Sequence, residues 1–369
     1  MKIGILTQPL RYNYGGILQN FALQTVLKRM GHEPVTLDQT QIESHSWAYW
    51  IVAYVRRILL RAMGKWPYPL FSEIETLRVN KKILVNTRAF VNKYIRIQWE
   101  TKYEKLHNKD FDALIVGSDQ VWRPGGVRDI KLYFFSFARN WSGIKRIAYA
   151  ASFATDEWEF SQEQTEECKK LADLFDAISV REETGVQLCA DNLKHDATWV
   201  IDPTMLLTPQ DYTLELDIKH DTAHANSLFY YILDENESKI NFVEKISKHK
   251  DLMPFRVNSK AEDTSASVYE RIQPPVENFI QAFYDADFVV TDSFHAVVFS
   301  ILFNKPFYVI CNTNRGAARF VSILSMFGLE NRMIEDVPER IPEINWEPIN
   351  ELLKKRRKES MRFLYDVLT

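Results

Sequence analysis

Cysteine is scarce in this 369-residue chain, and Cys168, Cys189 and Cys311 form neither a CxxC pair nor a metal-ligand spacing. An odd number without such spacing argues against a disulfide framework and fits reduced thiols in a reducing compartment. Charge of one sign is lacking as well. Forty-six Lys and Arg stand against 49 Asp and Glu, a net charge of −3, so there is no global electrostatic case for binding nucleic acid. The GxGxxG fingerprint of a dinucleotide site is missing, as are internal repeats and low-complexity tracts. The opening MKIGILTQPL is too short and polar-flanked for a signal peptide and reads as a first strand, so a cytoplasmic protein is expected. No metal cluster is visible, and neither a metal nor a resident cofactor is expected.

What remains is an ordinary globular composition, 26% charged and 46% hydrophobic, rich in Phe, Tyr and Trp. The length suits two domains: Trp199–Asp202 reads as a strand of the first, and the polar stretch 208–226, which holds no clear element, as the boundary. The expected architecture is α/β: two Rossmann-like domains facing a cleft, GT-B-like. Residues 1–210 form the first, with an aromatic and basic helical insertion at about 41–105. Residues 225–345 form the second, and 346–369 a charged terminal helix.

The most informative stretch is Asp285–Cys311, DADFVVTDSFHAVVFSILFNKPFYVIC. It reads as a strand, a polar turn at Thr291–Ser293, an apolar helix and a second strand. A buried strand feeding a helix start is where open α/β sheets place ligands, because the helix N-terminus offers N–H groups and positive potential. His295 falls in the first turn of that helix. Other strand ends share the pattern: Tyr12–Gly16 before a helix at about 17–30, Gly117–Trp122 after Phe111–Val116, and Arg181 after Ala177–Val180. Gly15–Gly16 either lets a ligand approach the backbone or makes a tight turn, and Asp38 stands about where a Rossmann unit puts its ribose-binding carboxylate. Trp47–Trp66 mixes aromatic and aliphatic residues with Arg56, Arg57, Arg61 and Lys65. It is too short and too charged to span a bilayer, so it lies in a membrane interface or docks on the core.

Taken together, NYGGILQNFALQ (Asn13–Gln24), GSDQVW (Gly117–Trp122), AASF (Ala150–Phe153), SVREETG (Ser179–Gly185), IDPTMLL (Ile201–Leu207), the Asp285–Phe307 stretch and NRGAARF (Asn314–Phe320) resemble the polysaccharide pyruvyl transferase family. The resemblance implies a GT-B-like fold with the site in the cleft. It also implies transfer of a pyruvyl group from phosphoenolpyruvate to two hydroxyls of a sugar, giving a cyclic ketal. Better-known branches carry an arginine two residues before the histidine, where this chain has Ser293.

That chemistry asks for arginines on a trianionic donor, a general acid for the methylene carbon and a base for the attacking hydroxyl. The candidate catalytic set is His295, Asp119 and Asp292. The candidate substrate-binding set is Asn13, Gly15, Gly16, Gln19, Ser118, Arg181, Ser293, Arg315 and Arg319. Expected partners are phosphoenolpyruvate and a saccharide acceptor, which a polyprenyl carrier would present, with peripheral contact at the inner membrane face through 47–66. The alternatives are a GT-B glycosyltransferase using a nucleotide sugar and a non-catalytic glycan-binding relative.

Overall fold

The computed structural model describes residues 1–39, 47–64, 72–221, 225–312 and 316–369. Two parallel sheets organise it. The first has seven strands in the order β3-β2-β1-β4-β5-β6-β7. In chain order these are β1 (Lys2–Leu6), β2 (Glu33–Gln39), β3 (Ile97–Thr101), β4 (Ala113–Val116), β5 (Lys145–Ala151), β6 (Ala177–Val180) and β7 (Thr198–Trp199). The second sheet has the order β11-β10-β8-β9, from β8 (Ser227–Tyr231), β9 (Met253–Phe255), β10 (Phe288–Thr291) and β11 (Phe307–Val309). This is the expected fold class, two Rossmann-like units with a cleft between them.

The central strands β1, β4 and β10 are short and almost wholly buried, as parallel strands covered on both faces must be. Strand order reverses between β1 and β4 in one sheet and between β10 and β8 in the other. Crevices open beyond the carboxyl ends of strands at such points. The ends of β1 and β4 lead into Tyr12–Gly16 and Gly117–Gln120, and those of β8 and β10 into Ile232–Asp234 and Asp292–His295. The two crevices face each other.

One apolar cluster joins the units. It runs from Ile3, Ile5 and Ile115 of the first sheet through the Tyr14–Arg29 helix to Phe279, Phe283 and Phe299 of the second. Each such ring, fully buried, contributes roughly 1.5–3 kcal/mol. The Tyr14–Arg29 helix is buried nearly all round, which explains its lack of a polar face. Its Tyr14 hydroxyl donates to Pro274 O (2.8 Å), so the helix grips the second unit directly. The Trp346–Leu368 helix returns to the first unit. There the Arg357 guanidinium donates to Met205 O and Leu207 O, and Ser360 Oγ accepts from Ile201 N.

Three readings of the sequence differ from the structure. Ile97–Thr101, inside the stretch expected to be a helical insertion, is the edge strand β3, and its exposed middle hid it from any apolar period. Thr208–Asn226, expected to hold no element, contains the Pro209–Glu215 helix, capped reciprocally by Thr208 and Asp211. Trp199–Asp202 reads as a strand in the sequence, but its ladder stops at Trp199 and Asp202 turns away to cap Pro203–Leu206.

β3 is held by a buried amide. Gln24 Nε2 donates to Thr36 Oγ1 and Arg96 O (both 2.8 Å), and its Oε1 accepts from Arg96 N (3.0 Å). Replacing Gln24 by Ala leaves Arg96 N without its partner and should cost about 1–3 kcal/mol. Thermal unfolding should show a lowered Tm; an unchanged Tm would mean that the bracket contributes nothing.

Candidate active site

The cleft between the sheets has a volume of about 760 Å³. On one wall stand Asn13, Gly16, Asp119 and Gln120 from the first unit. On the other stand Asp292, Ser293, Phe294 and His295 from the second, with Arg319 reaching in. Behind this surface lies a cluster of buried charges. Arg181 Nη1 donates to Asp202 Oδ2 (2.8 Å) and Nε to Glu182 Oε1 (3.2 Å), and Nη2 lies 3.5 Å from Asp119 Oδ1. Ser152 Oγ donates to Glu182 Oε1 (2.6 Å), and Thr204 binds Asp202 Oδ1 through both N–H and hydroxyl. Burial disfavours a charged Arg181, yet Glu182, Asp202 and Asp119 together hold its pKa above the ordinary value.

His295 is brought to this cluster from the other unit. Its Nε2 is shut off from solvent, has no hydrogen-bond partner and lies 3.6 Å from Asp202 Oδ2. The opposite side of the ring rests on Gly15. A Cβ at position 15 would fall 2.0 Å from Nδ1 and 2.2 Å from Cγ. The open question about the glycine pair is thereby answered for one member: Gly15 is the seat of the imidazole. Gly16 meets only ordinary contacts at a built Cβ.

Asp119 sits in the left-handed region at φ 69°, a conformation Asp tolerates better than most residues. Its carbonyl accepts from Val121 N and Ser152 N, which fixes that geometry. Its carboxylate accepts from Asn13 Nδ2 (3.3 Å), while Asn13 Oδ1 caps the first helix at Gly16 N. Burial opposes ionisation of Asp119, but His295, Arg181 and Arg319 outweigh it and hold the carboxyl below its usual range. Asp202 is likewise opposed by burial and brought well below the carboxylate range by His295 and Arg181.

Arg319 comes from the Ala317–Phe327 helix, which docks where Glu183 N donates to Ser322 Oγ (3.0 Å). Its guanidinium lies 3.8 Å from Asp119 Oδ1 and 5.5 Å from the Phe294 ring centre, with Arg181 on the same ring at 4.3 Å. With the Gln120 amide oxygen turned inward, Nη1 and Nη2 both donate to it at 3.0 Å. Burial, followed by the neighbouring Arg181, lowers its pKa to about 10, so it stays cationic at neutral pH. Ser293 occupies the N-cap of the Phe294–Leu302 helix without a side-chain cap, and that helix start faces the cleft. Such a start favours an anion.

Several candidate residues do other work. Asp292 is wholly buried and accepts from Leu233 N, Asp234 N, Lys239 Nζ and Asn312 Nδ2, which pins the β8 exit loop to the β10 exit. Gln19 and Ser118 lie beneath the floor, where Gln19 Oε1 accepts from Ser118 N and Nε2 donates to Thr7 Oγ1. Arg181 is committed to the carboxylates behind the wall. Asp38 does not line the cleft, and burial raises its carboxyl to about 6. Arg315 lies outside the described residues. Asp202, Glu182 and Phe294 lie within the family-like motifs, but their place in the site is not evident from the sequence. For Asp202 the signal was the Asp-Pro-Thr capping triplet; for Glu182 it was adjacency to Arg181. Among the described residues no group of His, Cys, Asp and Glu side chains could hold a metal ion.

Two parallel α/β units whose switch points face each other across a cleft define a GT-B-like architecture. A family model described as polysaccharide pyruvyl transferase matches residues 13–314, and the chain belongs to that family. No curated protein matches the chain. Among solved structures it is similar to MurG of Acinetobacter baumannii, at 11% identity and TM-score 0.44, over 99% of this chain and 98% of that one. UDP-GlcNAc 2-epimerase from Neisseria meningitidis, bound to UDP-GlcNAc, is 8% identical with TM-score 0.48, over 100% of this chain and 99% of that one. The UDP-GlcNAc 2-epimerase of Methanocaldococcus jannaschii is 11% identical with TM-score 0.46, over 100% and 99%.

Two expectations follow from the site. An alanine at position 15 suits a helix better than glycine by about 0.5–1 kcal/mol, yet its Cβ collides with His295. Gly15→Ala should therefore lower kcat far more than Tm, and equal retention of both would detach the ring from this seat. Asp119 and Asp202 have depressed folded-state pKa values, so the stability they confer is present above the unfolded carboxylate pKa of about 3.9. It is lost as pH falls through their folded values. Asp202→Asn should be less stable at pH 7 and show a flatter acid limb; an unaltered pH–stability curve would contradict this.

Proposed function

We propose that the protein transfers a pyruvyl group from phosphoenolpyruvate to a sugar diol of a cell-surface polysaccharide or its lipid-linked precursor, forming a cyclic ketal. The observation that carries this reading is the convergence of Arg319, the uncapped Phe294–Leu302 helix start and His295 at one cleft wall. Guanidinium and helix start suit the carboxylate and phosphate of the donor. His295, with Nε2 turned to Asp202, delivers a proton from Nδ1 to the methylene carbon. The methylene becomes a methyl group and C2 gains oxocarbenium character, which nearby Asp119 stabilises electrostatically. One sugar hydroxyl bonds to C2, the C2–O bond to phosphate breaks, and the second hydroxyl closes the ring. Of the two hydroxyl protons released, one balances the proton delivered to carbon and the other leaves with the phosphate. Asp202 holds the imidazole and balances its charge, a positioning role.

His295→Ala should lose turnover by on the order of a hundredfold or more with the fold intact. Arg319→Lys should weaken donor binding roughly tenfold, since a point charge cannot replace a planar fork. The test is incubation with phosphoenolpyruvate and a panel of nitrophenyl and lipid-linked sugars, scoring phosphate release and the added mass. Tight binding of a nucleotide sugar with no response to phosphoenolpyruvate would overturn the proposal, as would full turnover by the His295 variant.

A further inference from the structure

The Trp47–Ala62 helix shows its apolar side to water. Its half-buried positions are Ala53, Tyr54, Arg57 and Leu60. Its exposed face carries Ile51, Val52 (67% exposed), Val55, Ile58, Leu59 (58% exposed) and, just beyond it, Met63. These fall at i, i+1, i+4, i+7, i+8 and i+12, one continuous arc of a helix. A helix docked to complete a core has the reverse arrangement. Among the described residues, nothing covers this arc.

The charge around the arc selects its occupant. Residues 44–72 contain Arg56, Arg57, Arg61 and Lys65 and no Asp or Glu, in a chain whose net charge is −3. Arg56 is exposed at the edge of the arc, and Arg57 lies against the Tyr54 ring (5.4 Å). An apolar arc with Arg56 at its edge, on a helix whose only charges are cations, fits a surface that is oily inside and anionic at its rim, which describes a bilayer with acidic headgroups. A second copy of this chain fits less well, because a two-fold contact through the arc would bring each arginine set toward its own duplicate. Among the described residues no helix is long and apolar enough to cross a membrane, so the helix would lie in the plane.

We propose that the Trp47–Ala62 helix is an interfacial anchor that seats the protein on an anionic lipid surface. The helix after it, Ser72–Ile83, leads toward the cleft. Ile83 O accepts from Gln273 N and Asn86 Nδ2 donates to Gln273 O, and Gln273 is a cleft-wall residue. The proposal stands on the exposed arc and its charges and is independent of the reaction assigned above.

The test is co-sedimentation of the full chain with vesicles of phosphatidylcholine alone or with added phosphatidylglycerol, at low and high salt. Binding to the mixed vesicles that falls with salt is expected, with little binding to the neutral ones. Replacing Arg56, Arg57 and Arg61 together by Glu should lower partitioning by on the order of a hundredfold or more. Val55→Asp with Leu59→Asp should abolish it at any salt. All five positions are at least partly exposed, and Tm measurements check that the variants fold. The wild-type comparison of lipids and salt carries the test without any variant. Absence of binding at low salt would overturn the proposal, as would equal binding to neutral vesicles. So would a wild-type dimer, seen by light scattering, that the Val55/Leu59 variant converts to monomer.

Discussion

The structure depends on the burial of Arg181. Three carboxylates, Asp119, Glu182 and Asp202, gather on it from the exits of β4, β6 and β7, almost without solvent exposure. Each ion costs several kcal/mol to desolvate, so none is stable there unless the others are in place. The strand exits are thereby locked to one another. The large apolar cluster supplies the stability of the joint between the units, but oily surfaces slide. The charges fix the register. His295 and Arg319, both from the far side of the cleft, complete the cluster beside Asp202 and Asp119.

Much of this was legible because parallel strands announce themselves. β4, β6 and β10 are compact apolar runs followed by small or polar residues, and the cleft formed where those residues pointed. The expected helix at Asp285–Cys311 begins at Phe294, with His295 in its first turn. What sequence could not give was direction. Asp292, the candidate nearest to His295 in sequence, turns to Lys239, while the remote Asp202, which had no assigned role, turns to the ring. Arg181 reads in the sequence as an anion binder at a strand end, but its position one residue past β6 commits it to the interior. Gly15 read as backbone freedom, and only the tertiary fold shows that the missing Cβ is the space the imidazole fills.

The assignment of cations to tasks follows from burial. Where better-known family members carry an arginine, Ser293 leaves the Phe294–Leu302 helix start without a side-chain cap. An arginine there would have joined Arg319 in one cleft, each charge raising the cost of burying the other, as Arg181 already does to Arg319. With serine, anion capture in the proposed reaction falls to Arg319 and the helix start. Both act in a low-dielectric recess, where salt screens little.

The arginines of the Trp47–Ala62 helix have the opposite character. Arg56 and Arg61 are exposed, and a Debye length of about 8 Å at physiological salt is enough to blunt their pull on a distant lipid surface. One chain thus holds two kinds of positive charge that separate by environment alone. Rising ionic strength should release the protein from an anionic membrane well before it weakens the grip of the cleft on a small anionic donor. Under the proposed anchoring and reaction, attachment is adjustable while recognition is not, and the difference rests on whether a guanidinium is surrounded by carboxylates and rings or by water.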